Sequence, residues 1–331
     1  MKQLRRIAFA GIACALVVAG LGAALAYALY GERSHPASST QVIIARGSTF
    51  DEIAERLATE GIISNVWTFR MLARLRREDV AVHAGEYRFT PHRTQDEILR
   101  ALVSGGAQVA SWVTIPEGFA AGQIAERLAA TGIGPAADFD RYFMHQPLEV
   151  YGVRTRNLEG YLFPSTYLVP LGAAPSQVAG MLTAEFFRQL PADAASLARK
   201  QHVSVAQAVT VASLVEREAQ ESADRPRIAA VIYNRLRLGM PLQVDATIEY
   251  ALPKHKSELS FADLKIDSPY NTYAHAGLPP TPIANPGRPS LEAALNPWKS
   301  DDLYYVYCGN GRHVFAKTLA EHQANVARCL Q

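Results

Sequence analysis

Glu216 and Glu218 stand two residues apart in Val211-Ala-Ser-Leu-Val-Glu-Arg-Glu-Ala219, an otherwise apolar run that reads as a helix. Successive helical residues are about 100° apart around the axis, so the two carboxylates face different directions. Three, four and seven residues before Glu218 come Val215, Leu214 and Val211, an apolar stripe. The same offsets from Glu216 give Ser213, Ala212 and Val209, a smaller and partly polar face. Glu218 is therefore the more desolvated of the pair. Desolvation raises a carboxyl pKa and keeps its proton on near neutrality, as a general acid requires. A structural carboxylate paired with an arginine would show the same periodicity, so the rest of the chain has to separate the two readings.

Further polar residues follow the glutamates. Gln243-Val-Asp-Ala-Thr247 alternates polar and apolar, which predicts an extended segment with Gln243, Asp245 and Thr247 on one face. Ser268-Pro-Tyr-Asn-Thr-Tyr273 leads into Gly277-Leu-Pro-Pro-Thr-Pro-Ile-Ala-Asn-Pro-Gly287. So much proline excludes regular secondary structure, and the interspersed Tyr, Leu, Ile and Asn argue against disorder. Tyrosine, asparagine and threonine in such a loop suit a carbohydrate, which offers hydroxyls to bond and apolar ring faces to stack on. Asn234, Gln243, Asp245, Asn271 and Tyr273 are the polar residues expected to bind such a ligand. No metal or cofactor is expected. The nine histidines form no His-Glu-x-x-His, there is no glycine-rich phosphate loop, and no Gly-x-Ser-x-Gly elbow.

These residues need elements to hold them. Ser204 to Gln207 has capping-box spacing and opens the helix that ends in the glutamates. After Asp224-Arg-Pro226, a second helix runs from Ile228 to a stop at Gly239. Upstream, a repeat recurs with an offset of 71 residues: Ile53-Ala-Glu-Arg-Leu57 returns as Ile124-Ala-Glu-Arg-Leu128, and Gly61-Ile62 as Gly132-Ile133. Each copy reads as strand, glycine turn and amphipathic helix. A weaker echo pairs the strand Gly85-Glu-Tyr-Arg-Phe89 with a helix capped by Thr94. Such units resemble glycan-binding modules of the LysM type, with Trp67 and Trp112 available for stacking.

At the N-terminus, Lys2, Arg5 and Arg6 precede an uncharged run from Ile7 to Tyr30. It is longer than the roughly 20 residues that cross a bilayer, and its basic flank places the N-terminus in the cytoplasm. A cleaved signal peptide is the rival, since Ala24-Leu25-Ala26 resembles a cleavage site, but the run exceeds the usual signal core. The expected organisation is a membrane anchor at 1–30, a linker at 31–40, a LysM-like subdomain at 41–149 and a second, mixed α+β domain at 150–331. Three of the 33 basic residues flank the anchor, leaving 30 against 31 acidic ones outside it, a balance that disfavours nucleic acid as partner. Cys308 and Cys329 lie in the exported part, where they either pair or stay free.

The blocks Leu158-Glu-Gly-Tyr, Ala212-Ser-Leu-Val-Glu-Arg-Glu, Asn234-Arg-Leu, Gln243-Val-Asp-Ala-Thr, Tyr270-Asn-Thr-Tyr, Gly277-Leu-Pro-Pro and Ile283-Ala-Asn-Pro-Gly, in that order, resemble the YceG-like family of endolytic murein transglycosylases. The resemblance covers about residues 41–328. It implies an α+β chain with one membrane helix, a LysM-like subdomain and a catalytic domain facing the periplasm from the inner membrane. It implies cleavage of the β-1,4 bond between N-acetylmuramic acid and N-acetylglucosamine in nascent peptidoglycan strands, beside peptidoglycan synthases. The family's catalytic glutamate falls on Glu218. His313, in the closing strands, is as readily structural as functional. The rival expectations are a hydrolytic muramidase and a non-catalytic, membrane-tethered peptidoglycan scaffold.

Overall fold

The computed structural model describes residues 16–24, 26–27, 30–31, 38–45, 47–105, 109–150, 153–253, 256, 258–309 and 311–329. The chain is mixed α and β. Among the described residues no helix is long and apolar enough to cross a membrane, and much of the expected anchor at 7–30 lies outside them.

The chain divides into two compact units. The first comprises residues up to Ser111 together with Leu168–Ala174. In it β1 (Thr40–Ile44) pairs antiparallel with β2 (Gly85–Phe89), Thr40 opposite Phe89 and Ile44 opposite Gly85. The strands alternate, so Val42, Ile44, Tyr87 and Phe89 are buried beneath the helices. Helix α1 (Phe50–Thr59) starts at a capping box of Thr49 and Glu52; α2 (Val66–Arg76) starts at Asn65, whose Oδ1 accepts from the Trp67 and Thr68 N–H groups. The helix α3 (Gln95–Ser104) is capped by Thr94 with Glu97, as its spacing predicts. Ile53, Leu57, Phe69, Leu72, Ile98 and Leu102 close the core.

The second unit holds residues 112–167 and 175–331. The strand β3 (Ala110–Thr114) leads into it, followed by α4 (Ala121–Ala130) and α5 (Ala136–His145), which pack together. A hairpin of β4 (Leu148–Val150) and β5 (Val153–Thr155) comes next, then β6 (Thr166–Pro170) and α6 (Pro175–Gln189). The division thus falls at residues 111 and 112. Its cause is α5, which packs on α6 and draws residues 112–149 into the second unit. The two copies of the repeat consequently lie in different units. They keep the same local form: Gly61 and Gly132 follow their helices with φ of +69° and +78°, which a side chain at either position would strain. Trp67 and Trp112 are both exposed.

Helices α7 (Ala194–Lys200), α8 (Val205–Glu218), α9 (Arg225–Arg237), α10 (Asp245–Ala251) and α11 (Arg288–Leu295) build the rest of this unit, α8 packing against α9 and α11. All residues of α8 from Ala208 to Val215 are buried, which makes it the central helix. The chain ends in the antiparallel hairpin β7 (Tyr304–Tyr307) and β8 (His313–Ala316) and in α12 (Leu319–Cys329). Cys308 and Cys329 form a disulfide with their Cα atoms 4.5 Å apart, tying the last helix to that hairpin. Of the two states the sequence leaves open, the structure adopts the paired one.

Candidate functional site

Glu218 is the last residue of α8 and sits at the end of the stripe of Val211, Leu214 and Val215, all fully buried. The helix begins at Ser204, whose hydroxyl accepts from the Gln207 N–H, and stops where Ala219 turns to an extended backbone. This stripe sets the direction of the glutamate. Its side chain is half-buried, and burial pushes its pKa up to about 7. The Asp245 and Glu249 carboxylates push the same way. The Tyr305 hydroxyl, donating to Glu218 Oε2 at 3.0 Å, and the Arg217 guanidinium oppose them. Near neutrality the group is therefore divided between acid and carboxylate, the state in which one side chain can both give and take a proton.

Glu216 points elsewhere. Its carboxylate accepts from Arg225 Nη2 at 3.4 Å and from the Gly287 N–H at 3.0 Å, with both side chains almost wholly buried. It is the arginine-paired carboxylate of the pair, with one oxygen on Arg225 and the other on the Gly287 N–H.

Asp245 opens α10 instead of lying on a strand. Residues two apart on a helix diverge, so Asp245 is exposed, whereas Thr247 is buried with its hydroxyl on Val244 O and the Thr272 hydroxyl. The expected shared face of Gln243, Asp245 and Thr247 does not form. Asp245 Oδ1 accepts from the Tyr273 hydroxyl at 2.5 Å. Burial and that carboxylate together raise the phenol's pKa, keeping it a donor. Gln243 is exposed with φ of +52°, an uncommon conformation for a residue with a side chain. Its turn is held by Arg235, which donates from Nη1 to Leu242 O at 2.8 Å and from Nε to Leu303 O at 2.7 Å. Glu218, Asp245, Tyr273 and Gln243 thus gather with Tyr305 and Arg235 in one polar neighbourhood.

Asn234 and Asn271 do not join it as ligands. Asn234 Nδ2 donates to Ser300 O and Asp302 O, both at 2.9 Å, and its Oδ1 accepts from Arg237. Asn271 is fully buried: Nδ2 donates to Leu264 O and Ile266 O, while Oδ1 accepts from the N–H groups of Tyr273 and Ala274. Each amide is consumed in holding backbone, Asn234 the approach to β7 and Asn271 the loop that carries Tyr273. His313 is equally committed, its ring Nδ1 and its N–H both meeting Asp224 Oδ2.

Tyr305, Arg235 and Glu249 were not singled out by their spacing. Tyr305 reaches Glu218 from a strand 87 residues further along the chain, a proximity that no local pattern encodes. A second acid was also hidden. Glu159, almost wholly buried, accepts from the Ala121 N–H at the start of α4, from Asn285 Nδ2 and from the Tyr250 hydroxyl. Burial pushes it too up to about 7. It borders a hollow of about 700 Å³ that Arg217, Glu249 and Tyr250 also line, next to the end of α8.

The electrostatics predict opposite responses from two variants. Asp245→Asn removes a repelling charge, so Glu218 should lose its proton at lower pH. Tyr305→Phe removes a donor that stabilises the carboxylate, so it should lose it at higher pH. Shifts of roughly half to one pH unit are expected in a carbon-13 NMR titration of the Glu218 carboxyl. Shifts of the same sign would contradict the arrangement.

The model of the YceG-like family matches residues 42–328. An endolytic murein transglycosylase of Bacillus subtilis is 37% identical over 304 residues, covering 86% of this chain and 83% of the relative. One of Streptococcus pneumoniae is 32% identical over 317 residues; the match covers 86% of this chain and 57% of that longer protein. The crystal structure of a YceG-like protein of Listeria monocytogenes aligns with a TM-score of 0.57 at 34% identity, over 87% of this chain and 99% of the other. With seven ordered sequence blocks, a match over nearly the whole chain and relatives of this identity, the chain belongs to the YceG-like family.

Proposed function

We propose that this chain is an endolytic murein transglycosylase that cleaves the β-1,4 bond after N-acetylmuramic acid in peptidoglycan strands and leaves 1,6-anhydro ends. The observation that carries the reading is Glu218, a half-buried acid with a pKa near 7 and one tyrosine donor. Protonated Glu218 donates to the glycosidic oxygen as the C1–O bond breaks. As carboxylate it then accepts the proton of the muramic acid's own 6-hydroxyl, whose oxygen bonds to C1. Ordinary glycosidases need a second carboxyl group to activate water or to attack C1. Here the acceptor is already tethered, so one residue serves both steps, and Glu216 is not required for either. Asp245, exposed beside it, adds negative charge where an oxocarbenium-like transition state develops positive charge. Gln243 and Tyr273 are the remaining polar groups available to the sugar.

The relatives' printed names support the reaction class. We further propose that the run from Ile7 to Tyr30 is a retained single-pass anchor with a cytoplasmic N-terminus, that residues 41–149 form a LysM-like glycan module, and that the enzyme works beside peptidoglycan synthases. The Cys308–Cys329 disulfide agrees with an exported, oxidising location. Mass spectrometry of products from purified uncrosslinked strands tests the chemistry. Anhydro ends, lighter by one water than reducing ends, are expected. Reducing ends would make the enzyme a hydrolase, and an undigested strand would leave a binding scaffold.

A further inference from the structure

A second hollow of about 660 Å³ lies in the catalytic unit, bordered by Thr210 on α8 and by the proline-rich loop. Thr210 precedes Glu218 by eight residues, about 12 Å along the helix. That is a span which a short run of sugars covers.

The chemistry of its lining is selective. Val203, Leu236, Leu278 and Pro279 give it apolar walls suited to methyl groups and poorly suited to sugar hydroxyls. Among its polar groups are uncommitted donors. Arg156 is exposed, and among the described residues no carboxylate lies within ion-pair distance of it. The neighbouring Arg154 is by contrast spent on Glu149. Gln207 accepts the Ser204 N–H through Oε1, which leaves its amide NH₂ for an outside acceptor. Tyr161, in the wall, is fully buried, yet its hydroxyl has no hydrogen-bond partner. The complementary ligand is anionic, rich in carbonyl acceptors and built from small apolar side chains.

We propose that this hollow recognises the peptide stem of the strand, an acyl peptide of small residues with a free terminal carboxylate. Arg156 binds the carboxylate, the apolar walls take alanine methyls, and Gln207 meets peptide carbonyls. The proposal rests on the peptidoglycan reading above and adds to it a specificity device remote from the bond that breaks.

The test compares glycan strands carrying pentapeptide stems with the same strands stripped by an amidase, using the full chain. Wild type should cleave the stem-bearing strands about tenfold better in kcat/KM, through KM. Arg156→Ala should bring that ratio near one while leaving the rate on stripped strands unchanged, and Arg156→Lys should restore part of it. Calorimetry with the free pentapeptide should show binding that weakens about fivefold or more on C-terminal amidation or in Arg156→Ala. Equal cleavage of both strands by wild type, or a ratio untouched by Arg156→Ala, overturns the proposal and leaves the enzymatic reading standing. Failure of that reading looks different: neither strand yields anhydro ends, whatever the calorimetry shows.

Discussion

Replacing Glu218 with Gln should reduce strand cleavage at least about a thousandfold while the protein melts within a degree or two of wild type. Gln has the size of Glu, and its Oε1 can still accept from the Tyr305 hydroxyl 3.0 Å away. What it loses is the proton. General acid and base catalysis each contribute roughly 10²–10⁴-fold, and this one residue is assigned both steps. The neighbouring carboxylates are otherwise engaged: Glu216 on Arg225 and the Gly287 N–H, Asp245 on Tyr273 and Glu249 on Arg217. Release of anhydro products, measured with a thermal melt on the same preparation, separates lost chemistry from lost fold. A variant retaining a tenth of the native rate would remove Glu218 from the reaction. In the wild type the activity should also decline as pH rises through about 7, since the donor is then ionised before the bond breaks.

Gly160→Ala should be the most damaging small change to stability, lowering it by about 3 kcal/mol or more and the melting temperature by roughly 5–10 °C. Gly160 has φ of +89°, and a Cβ there would lie 2.4 Å from Pro282 Cγ and 2.6 Å from its Cβ. A proline ring is rigid, so the loop itself has to move. That loop docks on α8 through the next residue, the Ile283 N–H donating to Ser213 Oγ at 3.1 Å. The Ser213 hydroxyl in turn donates to Thr210 O. Pushing Pro282 outward therefore disturbs the seat of the proline-rich loop on α8, and activity should fall along with stability. A melting temperature within a degree or two of wild type would show that the loop is not held as closely as the structure has it.

Much of the site was legible before the fold was known. The apolar offsets before Glu218 pointed to its desolvation, because helical periodicity decides which residues share a face. They missed that the Glu216 side chain is almost wholly covered, enclosed by Arg225 and the Gly287 N–H. The capping boxes at Thr94 and Ser204 marked helix starts for the same local reason: cap and third residue are close in the chain. Polarity, however, did not distinguish a ligand from a brace. Asn234 and Asn271 carry the same amide that binds sugars, and each is fully used, Asn234 by Ser300 O, Asp302 O and the Arg237 guanidinium, Asn271 by backbone groups between Leu264 and Ala274. Alternation likewise misread Gln243 to Thr247, where a helix starting at Asp245 sends Thr247 into the core.

The sequence by itself determined the helix that carries the acid, the direction the acid faces and the family it belongs to, since all of these are written in spacings of a few residues or in ordered blocks. Only the tertiary structure decided what surrounds the acid: Tyr305 from the last hairpin, Asp245 and Glu249 from α10, and Arg225 drawing Glu216 away. A pKa depends on distances through space, and those distances exist only once segments far apart in the chain have packed.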